Sequence, residues 1–176
     1  MKTLRWLLAA ALALTSGIVW AQGSGPTDPQ IAAIVVAANQ TDIDAGKLAE
    51  SKTKSKDVKM FAQRMVADHT SVNQAAVALV HKLGVTPEAN PTSDSLTQEG
   101  EANIANLKSL HGAQFDRAYI DHEVTYHEQV IDALDKTLIP SAQNAELKAL
   151  LVKVRPAFVA HLDHAKHVQA SLAKAQ

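Results

Sequence analysis

The chain has 176 residues, 47% of them hydrophobic and 20% charged, with a formal net charge of −1. That composition suits one globular domain and excludes a disordered acidic or basic tail. With no basic cluster and only 4% aromatic residues, the chain lacks the electrostatic footprint of a nucleic-acid binder. The absence of cysteine excludes thiol catalysis, a lipidated cysteine anchor and every thiolate-held zinc or iron–sulfur site.

The first residues set the compartment. Lys2 and Arg5 precede an apolar run from Trp6 to Leu14, and Val19-Trp20-Ala21 presents residues that a signal peptidase reads. Residues 1–21 are therefore expected to be a cleaved signal peptide, and the product periplasmic or secreted. An uncleaved anchor would need about 20 apolar residues, and Ser16 and Gly17 interrupt this stretch. No later run is long enough to cross a bilayer. Residues 22–27 read as a flexible tether, and residues 28–176 as one helical domain.

Within that domain apolar residues recur at three and four positions, the helical period. Thr27-Asp28-Pro29 opens helix A, which runs to about Thr53 with Ile31, Ile34, Val35, Ala38, Asp42, Ala45 and Leu48 on one face. Ser55 caps helix B, whose stripe is Val58, Phe61, Met65, His69, Val72, Ala76, Leu79 and Leu83, and Gly84 ends it. A connection rich in Pro, Asn and Ser from Val85 to Ser95 leads to a shorter helix about Leu96 to Leu110. Helix C spans about Ala113 to Thr137, with Phe115, Tyr119, His122, Tyr126, Val130 and Leu134 inward. Helix D starts near Gln143, with Leu147, Leu151, Val154, Phe158, His161, Ala165, Val168 and Leu172 inward, and is expected to kink at Pro156. The predicted fold is all-α: a ferritin-like four-helix bundle, two antiparallel hairpins joined by a long crossover that carries the short extra helix. An up-down-up-down bundle with a loose middle loop is the alternative.

The polar residues on these apolar stripes carry the functional signal. His69 and His161 lie squarely on theirs, His122 lies on that of helix C, and Asp42 interrupts that of helix A. Burying such groups unpaired is costly. At about 1.5 Å per residue, Asp42 and His69 lie within roughly 3 Å in height of one another, and His122 and His161 within roughly 5 Å. One carboxylate and three imidazoles, one from each helix, can thus meet at mid-bundle, which is how bundle cores build metal sites. Such a set suits one transition-metal ion, zinc, copper or iron, rather than calcium or magnesium. Asp68, Glu123, His127 and His164 are available as further ligands or as partners behind the ligands. The same residues can also satisfy one another as a structural hydrogen-bond network.

Sharper chemistries are missing. His122-Glu123-Val124-Thr125-Tyr126-His127 resembles a zinc-protease helix, but its histidines are five residues apart and diverge by about 140°. There is no phosphate-binding glycine loop, no G-x-S-x-G elbow and no pair of E-x-x-H motifs.

Several segments resemble an exported bacterial family, the domain of unknown function 4142. They are Asp42-Ile43-Asp44-Ala45-Gly46-Lys47-Leu48-Ala49, Val58 through His69, Phe115-Asp116-Arg117-Ala118-Tyr119 with His127 eight residues beyond, and Pro156 with His161-Leu162. The resemblance implies a ferritin-like helical fold in the periplasm or at the outer membrane, and implies no reaction. The family usually has Glu where this chain has Asp42, and it points to His127 where the stripe of helix C points to His122. Two expectations result. One is a binding protein that holds a transition metal through Asp42, His69, His161 and one of His122 or His127. The other is a structural or interaction module of the cell envelope. An oxidoreductase would need open coordination positions and an electron partner that the sequence does not display.

Overall fold

Local chemistry sets where each helix begins and ends. In the computed structural model, which describes residues 25–174, helix α1 covers Asp28–Lys52. The Thr27 hydroxyl accepts from the Gln30 N–H while the Gln30 side chain accepts from the Thr27 N–H, a reciprocal cap, with Pro29 in the first turn. Thr27 is the cap that its place before Asp28-Pro29 leads one to expect. Three residues later Ser55 caps α2, Lys56–Leu83, which ends at Gly84 in the left-handed region (φ +63°). The expected signal peptide, residues 1–21, and the start of the tether lie outside the described residues.

The crossover helix α3 spans Pro91–Ser109, starting five residues earlier than its stripe suggests. The reason is again a cap. The Asn90 side chain accepts from the N–H groups of Thr92 and Ser93, the Ser93 hydroxyl accepts from the Asn90 N–H, and Pro91 opens the helix. Residues that read as loop are helix-start chemistry. Helix α4 covers Gly112–Ala133 and passes into a π-helical turn, Leu134–Leu138, where the Ile139 N–H reaches the Leu134 carbonyl five residues back. A short α5, Ile139–Ser141, ends the hairpin, and α6 runs from Ala145 to Lys174 without a break at Pro156.

Side-chain partners give the direction of each helix. Asp42 meets His69 and, further along α1, Gly46 meets Val66, so α1 and α2 are antiparallel. Asp121 with Gln169 and Asp135 with Arg155 make α4 and α6 antiparallel. Ala38 with Tyr126 and Thr53 with Asp116 set α4 against α1, while Lys82 with Glu146 and Asp68 with His161 set α6 against α2. Helices α2 and α4 therefore point the same way, and the chain between them must travel back along the bundle. Helix α3 makes that return beside α1, where Thr41 reaches Leu96 and Lys52 reaches Leu107. This is the expected arrangement of two hairpins and a long crossover, and no strand occurs among the described residues.

The apolar core falls into two clusters. One gathers Ala45, Ala49, Val58, Phe61, Met65, Phe115, Tyr119 and Ala165. The other gathers Ile31, Ile34, Val35, Ala76, Leu134, Leu147, Leu151 and Phe158. On α1, α2, α4 and α6 the stretch between the two carries buried polar residues: Asn39 and Asp42 on α1, His69 on α2, Glu123 and His127 on α4, His161 on α6. A polar layer divides the hydrophobic bundle.

Close helix approach next to that layer depends on Gly46. A Cβ there would sit 2.8 Å from Val66 Cγ2 and 3.2 Å from the Ala62 carbonyl oxygen. Gly46→Ala gains about 1 kcal/mol of helix propensity and loses about 1–3 kcal/mol to overpacking. The expected result is a lower melting temperature, recovered when Val66→Ala is added; a Gly46→Ala protein that melts higher than wild type would show that α1 and α2 are not in tight contact here.

Candidate metal centre

The polar layer is buried and convergent. His127 is 0% exposed, and Asp42, His69, Glu123 and His161 are each 1% exposed. One nitrogen from each of His69, His127 and His161 lies within 4.8 Å of the others, and so do ligand atoms of Asp42, Glu123 and His127. Each of the four long helices contributes.

Hydrogen bonds behind the histidines fix which nitrogen faces inward. The Asn39 amide donates to the Val35 carbonyl (2.7 Å), which turns its Oδ1 toward His69 Nδ1 at 2.7 Å. His69 Nδ1–H is therefore the donor, and Nε2 carries a lone pair. His127 Nδ1–H donates to the Glu123 carbonyl at 3.0 Å, again leaving Nε2 as the lone-pair nitrogen. His161 is turned the other way: its Nε2–H donates to Asp68 Oδ2 at 2.8 Å and its Nδ1 is left over. The nitrogens left over, His69 Nε2, His127 Nε2 and His161 Nδ1, have no hydrogen-bond partner, and neither does either oxygen of Asp42. Metal-bound imidazoles show this pattern, one ring nitrogen tied to a carbonyl or carboxylate and the other free for the ion.

One contact is repulsive as it stands. Asp42 Oδ2 lies 3.1 Å from His69 Nε2 and 3.8 Å from His127 Nε2, close enough for ion pairs yet not aligned as hydrogen bonds. With the imidazole protons on the opposite nitrogens, lone pair faces lone pair. Only a cation or an added proton relieves that. An added proton is disfavoured. Burial lowers the affinity of His69 for it despite Asp42 nearby, and burial, partly offset by Asp68, takes His161 down to about 4.

The two carboxyl groups share one negative charge. Burial and the neighbouring Asp42 raise Glu123 well above the ordinary carboxyl range. Burial also raises Asp42, but the facing imidazoles of His69 and His127 and the neighbouring Glu123 carboxyl outweigh it and hold Asp42 low. Asp42 is thus the anion and Glu123 the acid, the usual outcome when two carboxyls meet out of water. Glu123 Oε2 sits 3.5 Å from His127 Nδ1 and, like the Tyr119 hydroxyl beside it, has no aligned partner.

Of the residues singled out from the sequence, Asp42, His69, His127 and His161 are brought together. His122, the alternative to His127, is not among them. It is only partly buried and stacks on Tyr126 with ring centroids 5.6 Å apart. At 100° per residue, the arc of α4 that faces the centre at this level is Tyr119, Glu123 and His127, and His122 falls beside it. Asp68 stands directly behind His161, while His164 packs on Phe61 further along α6. Asn39 was not anticipated; its signal is an amide one turn before Asp42.

The fold and the site define an all-helical bundle whose core is interrupted by one layer of imidazoles and carboxyls. The chain belongs to the DUF4142 family, a domain of unknown function, whose sequence pattern matches residues 19–168. A structural relative is the crystal structure of a DUF305 protein from Streptomyces coelicolor, named as secreted. The TM-score is 0.68 at 10% sequence identity, over 82% of this chain and 92% of that one. At that identity the likeness concerns the fold alone. No curated protein sequence matches this chain.

Proposed function

We propose that this is an exported helical-bundle protein that holds one transition-metal ion in its core, bound by His69 Nε2, His127 Nε2, His161 Nδ1 and an oxygen of Asp42. The observation that carries the reading is the set of inward lone pairs from three helices facing the Asp42 carboxylate, each imidazole locked in the metal-binding tautomer from behind. A purely structural network of protein groups would tie these atoms to one another, whereas no protein group is aligned to bond them. Three imidazoles and a carboxylate suit zinc, copper or iron. Export is supported by the charged and apolar start of the sequence and by the secreted relative, and no helix among the described residues is long and apolar enough to cross a membrane. The role that fits a centre closed off by Phe158 and the tyrosines is metal holding or handling in the cell envelope.

Elemental analysis of protein made without a histidine tag tests this directly. One ion per chain is expected, removable by chelator, with the melting temperature falling on removal and recovering on adding zinc, copper or iron. At a thousandfold excess over the dissociation constant the bound ion adds about 4 kcal/mol of stability. Protein that takes up no ion, and whose melting ignores all three metals, is the structural module instead.

A further inference from the structure

The four ligands named above leave one inward group unexplained. Glu123 projects from α4 one turn before His127, is 1% exposed, and has an oxygen without a hydrogen-bond partner. Its ligand oxygen lies within 4.8 Å of those of Asp42 and His127. A glutamate has no packing reason to occupy this place, since Tyr119, Phe61 and Met65 in the adjoining core cluster show that the bundle interior accepts apolar groups.

We propose that Glu123 is a fifth ligand, and that it makes the centre one for a divalent ion. This rests on the metal-binding reading above. The physical argument is charge. In a site closed to water, an ion must be neutralised by groups that touch it. The imidazoles are neutral donors, the backbone supplies no formal charge, and Arg64, on the same helix as His69, is turned outward to Asp68. Asp42 alone neutralises a monovalent ion. Asp42 with Glu123 neutralises a divalent one. Glu123 Oε2 now lies 3.5 Å from His127 Nδ1, so its carboxyl must swing toward Asp42 to join the ion; three imidazoles with two carboxylates then give a five-coordinate set that suits iron or zinc in the divalent state. The i, i+4 spacing of Glu123 and His127 places both on one face of α4, so a single ion between α1 and α4 can reach both.

Zinc(II) and silver(I) titrations of the wild-type protein and Glu123→Gln, both without a tag, test the inference. Glu123→Gln keeps the shape and removes the charge. Zinc affinity is expected to fall ~10–100-fold or more, while silver treats the two proteins alike. Equal zinc affinity in the two proteins overturns the role of Glu123 and leaves the four-ligand centre standing; equal losses for zinc and silver overturn it too, by showing general damage. A wild-type protein that binds neither ion removes both proposals. Should Glu123→Gln not fold, a crystal structure of the zinc-loaded wild type decides. A Glu123 oxygen at about 2.0–2.2 Å from the ion supports the fifth ligand, and a carboxyl group turned away from it overturns it.

Discussion

A protein carrying His69→Ala and His161→Ala is expected to bind metal about a thousandfold more weakly than wild type and to be isolated without it, on the reading that these residues hold an ion. A four-ligand buried zinc site contributes about 10–16 kcal/mol; removing half of its donors costs at least about 4 kcal/mol of that, which is a thousandfold in affinity. Geometry sharpens the expectation. The two imidazoles come from α2 and α6 and sit with ring centroids 5.2 Å apart, so neither can be replaced by a shift of the other. The remaining His127 and Asp42 come from α4 and α1, and two donors do not strip a metal ion of its water. The matched control is His81→Ala with His167→Ala. Both histidines are exposed, and uptake should be unchanged. Competition against a chelator of known affinity reads the difference. Wild-type affinity in the core double variant would place the metal, if any, elsewhere on the chain.

The same double variant has a second readout in the metal-free state. Removing two fully buried rings empties space and leaves Asp42 facing no imidazole but His127, so about 2–5 kcal/mol of stability is lost. A structural network predicts that loss as well. What it does not predict is that wild-type protein gains stability from an added ion while the variant gains none. The comparison of the two proteins with and without zinc therefore separates the readings, and the variant's melting temperature alone does not.

Much of this architecture is legible in the sequence because capping residues and apolar periodicity agree. Thr27, Ser55 and Gly84 mark helix ends within a residue of where they occur. Asp42, His69 and His161 stand out because each breaks an apolar stripe. The stripe of α4 misleads, for a physical reason. That helix packs against α1 on one side and α6 on the other, so its buried arc is wide enough to hold Tyr119, Glu123, Tyr126 and His127 together. A single line of residues drawn down such a helix through Tyr119 and Tyr126 lands on His122 and misses the i, i+4 pair that faces the centre. The family resemblance pointed to His127. Asn39 escaped because a stripe through Ala38 sets it to one side, although its hydrogen bond to His69 selects the tautomer on which the site depends. The π-helical turn at Leu134–Leu138 has no signature in composition or period; it depends on one backbone bond that reaches five residues instead of four.

The stability of the metal-free protein is expected to peak near pH 6.5 and to fall on both sides of it. On the acid side, His69 and His161 bind protons less readily when folded than their ordinary value of 6.5, because they are buried, with His161 near 4. The unfolded chain therefore takes up protons that the folded one refuses, and stability drops as the pH falls below about 6.5; His161, whose folded value is near 4, accounts for about 1.4 kcal/mol per pH unit over that range, and His69 acts in the same direction. Glu123 works in the opposite sense. Folded, it keeps its proton well above the ordinary 4.5, so the unfolded chain is the one that releases it, and stability drops as the pH rises. Between 4.5 and 6.5 His161 offsets Glu123, and His69, His122 and His164, all lowered by burial, tip the balance toward the histidines. Above 6.5 the unfolded imidazoles are already neutral, and Glu123 alone sets the slope, downward. Chemical denaturation of chelated protein at a series of pH values measures the curve. Glu123→Gln should flatten its alkaline limb and leave the acid limb in place, because the amide has no proton to lose; stability that climbs steadily with pH to the alkaline end would show that Glu123 is ionised in the folded, metal-free protein.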